Sequence, residues 1–178
     1  MLTEPLPSTL DVRKAAVRGA RVSGVLKPLD LQRFRSLLAS DEGRIEVVMD
    51  FSKDEEGRYL VHVVVDADVR VTCQRCLGEM PKQVSSDSTL AVVLSDAQAA
   101  SLPRHLEPLL MEDPNCALWP LVEEELILAL PPFSYHDLED CNETLAAFNT
   151  PPPVEPEEER PNPFDVLAQL KGGKNNQE

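Results

Sequence analysis

Two cysteines three positions apart, Cys73-Gln74-Arg75-Cys76, with His136 and Cys141 about sixty residues further on, are the residues of this chain best suited to chemistry. Three thiols and one imidazole in the order C-x2-C…H-x4-C could close tetrahedrally around a zinc ion, at about 2.0–2.3 Å per ligand. Four protein ligands leave no open position for water, so such a site would tie distant segments together and would not catalyse. The same atoms suit two other roles: a redox-sensitive dithiol, or thiols that pack as small apolar groups. Strand parity points Cys73 into the core, and H-x4-C at this separation is not a standard finger spacing, so all three readings stand side by side. Cys116 has no cysteine close to it in sequence and reads as a core or loop thiol.

Catalysis finds little material elsewhere, with three His and seven Gly in 178 residues. His62 falls on the polar face of a strand, His105 sits in a proline-bearing loop, and neither a Gly-rich phosphate loop nor a nucleophile elbow is present. His136 beside Asp137, with Cys141 or Cys73 as thiol, is the one acid–base arrangement on offer. A thioredoxin-like use of the cysteine pair calls for a βαβ unit, and none is visible. The expectation is therefore a non-enzymatic protein with no catalytic residue and no small-molecule substrate.

The elements that must position the cysteines are legible around them. From Tyr59 to Cys73 the odd positions Tyr59, Val61, Val63, Val65, Ala67, Val69, Val71 and Cys73 are apolar, while His62, Asp66, Asp68, Arg70 and Thr72 take most of the even ones. That is a strand with one wet face. At about 3.3 Å per residue it is long enough that a bend or bulge is expected near Asp66-Ala67-Asp68. Upstream, Leu10 to Arg18 suits a short helix, Val22, Gly24 and Leu26 a brief strand, and Asp30 the cap of a helix carrying Leu31, Phe34, Leu37 and Leu38. Ile45, Val47, Met49 and Phe51 alternate into a hairpin with the long strand, and Val84, Leu90, Val92 and Leu94 return after the cysteines. Residues 95–116 lack a clean period and read as a long excursion. Leu118, Val122, Leu126, Ala129 and Leu130 then share one helical face, with Glu123 and Glu124 expected outward and Pro131-Pro132 ending the helix. The fold class expected is α+β: an antiparallel meander of about four strands with covering helices, followed by a disordered acidic, proline-rich C-terminal linker. The expected domain spans 1–148, the linker 149–161, and a short C-terminal helix with a polar tail 162–178. Phe164, Leu167 and Leu170 on that helix are the candidate partner-binding residues, because two turns of helix need something to dock on.

The net charge of −14 is unevenly spread. Residues 1–82 hold thirteen Lys/Arg against thirteen Asp/Glu, whereas 83–178 hold four against eighteen. The C-terminal half is thus unsuited to a nucleic-acid backbone. Arg13, Lys14, Arg18, Arg21, Arg33 and Arg35, in a stretch opposed by few carboxylates, are the candidate RNA-binding residues. No apolar run is long enough to span a bilayer, and the start MLTEPLPSTLDV has neither a basic opening nor an apolar core. A cytoplasmic protein without a membrane role is expected.

Four blocks together resemble one family: LPSTLDVRKAA (6–16), VTCQRC (71–76), VEEELILALPPFSYHDLEDC (122–141) and PNPFDVLAQLK (161–171). In this order they look like the YceD family, the large ribosomal RNA subunit accumulation proteins. The resemblance implies a bacterial cytoplasmic protein needed for normal synthesis, processing or stability of 23S ribosomal RNA and for large-subunit biogenesis, without a known catalytic activity. It implies no mechanism and no RNA-contact residue. The partners expected are the large-subunit RNA precursor or a ribosomal or RNA-processing protein. A zinc- or redox-responsive adaptor that binds proteins without touching RNA is the competing reading.

Overall fold

Alternation places the strand after Tyr59 at the middle of the sheet, and there it lies. In a computed structural model, which describes residues 4–111, 113–137 and 141, β4 (Tyr59–Thr72) runs between β3 (Gly43–Lys53) and β5 (Glu79–Val93). Val61, Val63, Val65, Ala67, Val69 and Val71 all face inward and are buried. Branched side chains suit the pleat, and each buried valine contributes roughly 1.5–3 kcal/mol relative to exposure.

No bulge interrupts β4. Ile45↔Ala67 and Glu46↔Asp66 on one edge, and Asp66↔Ser85 and Ala67↔Val84 on the other, belong to registers that never slip. A strand bonded on both edges leaves no place for an inserted residue, and a one-residue offset would turn its valines to solvent.

β2 (Arg21–Leu26) completes the expected antiparallel meander of four strands. A fifth, β6 (Glu107–Leu110), adds to β5 in parallel after a short helix, α3 (Asp96–Ala100). Four residues, EPLL, are too few to show a period, so the excursion at 95–116 conceals both elements. Before the sheet, β1 (Thr9–Asp11) leads into α1 (Val12–Arg18), whose N-terminus is capped by the Asp11 carboxylate and whose C-terminus is closed by Gly19 at φ 60°. β1 pairs with β7 (Asn115–Ala117), and β7 runs into α4 (Leu118–Ala129). α1 packs on β3 and β4, and α4 on β4 and β5, so the two helices cover one face of the sheet. Gly24 lets the segment at Glu4–Leu6 lie on β2, since a Cβ there would stand 2.5 Å from Leu6 backbone atoms.

Two helices differ from expectation. A 3-10 turn at Pro28–Asp30 precedes α2 (Gln32–Arg35), which is a single turn. The Asp30 carboxylate accepts the Lys27 N–H at 2.8 Å and so caps the 3-10 turn rather than a longer α-helix. On α4, Glu123 and Glu125 are buried, and Glu124 alone of the three is exposed. The Glu123 carboxylate accepts the N–H of Arg33 at 2.6 Å and of Phe34 at 3.1 Å, satisfying the first donors of α2, and Glu125 accepts the Ser86 hydroxyl at 2.6 Å. A helical wheel records polarity and not what a neighbouring element needs.

These elements form one unit that runs to Cys141. The expected linker and the expected C-terminal helix, with Phe164, Leu167 and Leu170, lie outside the described residues. No helix among the described residues is long and apolar enough to cross a membrane.

Candidate metal centre

β4 ends at Thr72, and the next six residues turn back into β5. Cys73 donates its backbone N–H to the Gly78 carbonyl at 2.8 Å and accepts the Leu77 N–H at 2.9 Å. The turn holds both thiols on one side, with Leu77 in the left-handed region at φ 59°. After α4, Pro131-Pro132 prevents further helix, and the chain runs beside this turn: the Gln74 N–H donates to the Ser134 carbonyl at 2.9 Å. That contact brings His136 and then Cys141 to the cysteine pair.

The ligand-capable atoms of Cys73, Cys76, His136 and Cys141 all lie within 4.8 Å of one another. The Cys73 and Cys141 sulfurs are 3.7 Å apart, and the Cys76 sulfur is 3.3 Å from His136 Nδ1. A tetrahedral ion with bonds of about 2.3 Å to sulfur and 2.0–2.1 Å to nitrogen would set those separations near 3.8 and 3.6 Å. The donor set could therefore hold a metal ion. His136 Nε2 lies 3.2 Å from the Glu79 carbonyl, which fixes Nε2 as the protonated nitrogen and leaves Nδ1 free as a ligand. Such an outer hydrogen bond is how proteins orient a ligating imidazole. None of the four cysteines of the chain is in a disulfide.

Electrostatics favour the same assignment. Burial would push the Cys73 thiol up, but the backbone N–H groups of Cys76, His136 and Arg75 directed at it prevail, and its pKa falls well below the ordinary thiol value. Cys141, buried and facing the other two sulfurs, is raised, and His136 is raised by its hydrogen bonds to Cys76 and Cys73. Three thiols crowded together resist ionising in common, and a cation relieves that repulsion. Cys116 lies apart, beside β1, with burial pushing its thiol up.

The basic residues behave differently. Arg18 and Arg21 sit where Ala20 accepts the Phe51 N–H, while Arg33 and Arg35 lie on α2, beyond the Leu26↔Ile45 pair that closes the other end of β2. Arg13 and Lys14 are a turn earlier on α1. Lys14 pairs with Asp11 at 2.9 Å, Arg21 with Asp50 at 3.4 Å, Arg33 with Glu124, and Arg35 with Asp41 at 2.6 Å. The stretch is continuous in sequence and divided in space. The backbone carbonyls of Glu79 and Ser134 that steady the cluster leave no mark in the sequence, because every residue has one.

Fold and site together define a class: a small α+β protein whose central strand ends in a cysteine–histidine cluster able to hold a metal ion. The family profile described as Large ribosomal RNA subunit accumulation protein YceD matches residues 61–171, and the chain belongs to the YceD family. The matched span takes in all four cluster residues. A protein of Haemophilus influenzae (strain ATCC 51907 / DSM 11121 / KW20 / Rd) called Large ribosomal RNA subunit accumulation protein YceD is 33% identical over 169 residues, covering 93% of this chain and 96% of that one. No solved structure matches.

Proposed function

We propose that this chain is a non-enzymatic, cytoplasmic factor that supports the accumulation of large-subunit ribosomal RNA. The observation that carries the reading is the end-to-end likeness to a protein named for that role, 33% identical over 93% of this chain. The test is genetic. Cells lacking the protein should show a reduced ratio of 23S to 16S ribosomal RNA, restored by this chain; an unchanged ratio would overturn the reading.

Zinc is the ion proposed for the cluster. Three thiolates with one imidazole are a soft set that suits zinc over magnesium or calcium. With four protein ligands the ion has no open position, so its work is to fasten the segment at Ser134–Cys141 to the end of β4. About one zinc per chain on protein purified under reducing conditions, with thiols freed by a chelator, is the expected result. Four freely titrating thiols and no metal would remove the clasp. Arg13 and Arg18, exposed or half-buried on α1, are proposed to approach the RNA backbone, joined by the paired cations where a phosphate competes with a surface carboxylate. Charge reversal at Arg13, Arg18, Arg33 and Arg35 should lower association with large-subunit precursors, and unchanged association would exclude this contact. An acidic C-terminal half suits a basic ribosomal or processing protein.

A further inference from the structure

The clasp does more than fasten two segments, because it brings together at the surface aromatic rings, a side-chain type that the other described segments bury wholly or in part. Six aromatic residues fall among the described residues: Phe34 and Phe51 are buried, Tyr59 and Trp119 half-buried, and Phe133 and Tyr135 exposed. Both exposed rings flank the buried Ser134, whose carbonyl is bonded to Gln74 in the cysteine turn, and Tyr135 directly precedes His136. Phe133 is 65% exposed and Tyr135 49%. The Arg75 guanidinium, from between the two cysteines, lies over the Tyr135 ring at 5.4 Å from its centroid. At the tip of the same turn Leu77 is 75% exposed in a backbone region that bulky residues avoid.

The local charge is closer to balance than the chain's: residues 69–83 carry Arg70, Arg75 and Lys82 against Glu79, which pairs with Arg70 at 3.7 Å, and Asp137 lies two residues beyond Tyr135, in a protein of net charge −14. Further along β4 and β5, at the start of β3, a depression of about 530 Å³ is lined by Arg44, Arg70 and Lys82, with Glu42 and Asp68 as its acidic members. Rings and guanidinium planes that bases can stack on, beside cations that can meet phosphates, are the two components by which proteins hold single-stranded RNA.

We propose that the cysteine turn and the segment at Phe133–Tyr135 form a platform for unpaired RNA bases, with Tyr135, Phe133 and the Arg75 guanidinium as its stacking surfaces. The inference rests on the reading of this chain as a ribosomal RNA factor and assigns it a contact site. A protein partner would also value exposed apolar groups, but a guanidinium laid over an exposed ring offers a base a stacking surface and a phosphate a cation at one place, which suits RNA.

The probe is a fluorescein-labelled single-stranded RNA of about ten nucleotides, titrated by anisotropy against the full-length, metal-loaded chain, with metal content measured for every variant. Tyr135→Ala and Phe133→Ala should each weaken binding by roughly fivefold to a hundredfold at unchanged metal content, the range found for loss of one base–aromatic stack. Arg75→Ala should weaken it and lower the salt slope by about one. An absence of binding by the parent chain, or variants that bind as tightly with the metal in place, overturns the platform. So does a result in which the variants keep RNA and lose a co-purifying protein, which makes the surface a protein dock. Ribosomal RNA ratios in cells carrying Tyr135→Ala separate this inference from the reading beneath it. RNA affinity lost with the 23S ratio intact keeps the platform and counts against the ribosomal role. RNA affinity intact in the variant, in cells whose 23S ratio depends on the chain, does the opposite.

Discussion

The sulfur–imidazole cluster and the basic stretch from Arg13 to Arg35 make opposite use of sequence distance. Cys76 and His136 are sixty positions apart, yet the Cys76 sulfur is 3.3 Å from the ring nitrogen. Arg21 and Arg33 are twelve apart, yet one lies at the Asp50 end of β2 and the other beyond the Ile45 end. Convergence of distant residues needs backbone that pins both segments, and the bond from Gln74 to the Ser134 carbonyl supplies it. Dispersal of near residues needs only one strand between them. A cluster of ligand-type side chains in space is therefore stronger grounds for a site than a run of like charges in sequence.

The largest effect that would sharpen this contrast is on the cluster. Chelation, or Cys73→Ser, should lower the thermal midpoint by on the order of 10 °C, because an ion bound only to the folded state stabilises it and its loss is felt in full. A midpoint that does not move with chelator would reduce the cluster to buried thiols. His136→Cys should keep the metal as a four-sulfur site and His136→Ala should lose it, a difference that cobalt substitution would register in its thiolate absorption bands. Acidification acts in the same direction: protons compete with the metal for its thiol and imidazole ligands, so affinity falls as pH falls, and a chromogenic chelator should collect more metal at pH 5 than at pH 8.

A smaller loss is expected at the base of α2. Glu123→Ala strands the N–H groups of Arg33 and Phe34 in a buried place, at a cost of about 1–3 kcal/mol measurable by urea unfolding. If the cost is nil, water satisfies those donors and the carboxylate is dispensable. Least is expected of the surface pairs. Arg35→Ala, which breaks a pair with Asp41, should leave the unfolding midpoint where it was, as exposed ion pairs commonly do. A clear destabilisation there would show that the basic residues hold the fold together and are not free for RNA.

Much of the sheet was legible because a period of two survives in side-chain chemistry alone. Tyr59 to Cys73 announces its buried face residue by residue, and the alternation at Ile45–Phe51 pairs with it; on β5 the expected face holds at Val84 and Leu90 and then shifts, with Ala91 and Val93 buried and Leu94 exposed. The same clarity made α4 readable from Leu118, Val122 and Leu126, ended by Pro131-Pro132. What escaped is short or dictated from outside. β6 has only four residues and owes its existence to the free edge of β5. Glu123 and Glu125 look like a solvated helix face until α2 and Ser86 are seen to need acceptors.

By itself the sequence determined which residues are buried along β3 and β4, where α4 stops, and which four side chains have the chemistry of a metal site. Those properties belong to single residues and their immediate neighbours: hydrophobicity, the fixed φ of proline, the softness of sulfur. Only the tertiary structure decided that Cys73, Cys76, His136 and Cys141 meet, that His136 offers Nδ1, and that Arg75 lies over Tyr135. It likewise decided that the arginines of one sequence stretch part company at the two ends of a strand. Each of these depends on backbone hydrogen bonds between segments far apart in the chain, and such bonds are made by atoms that every residue shares.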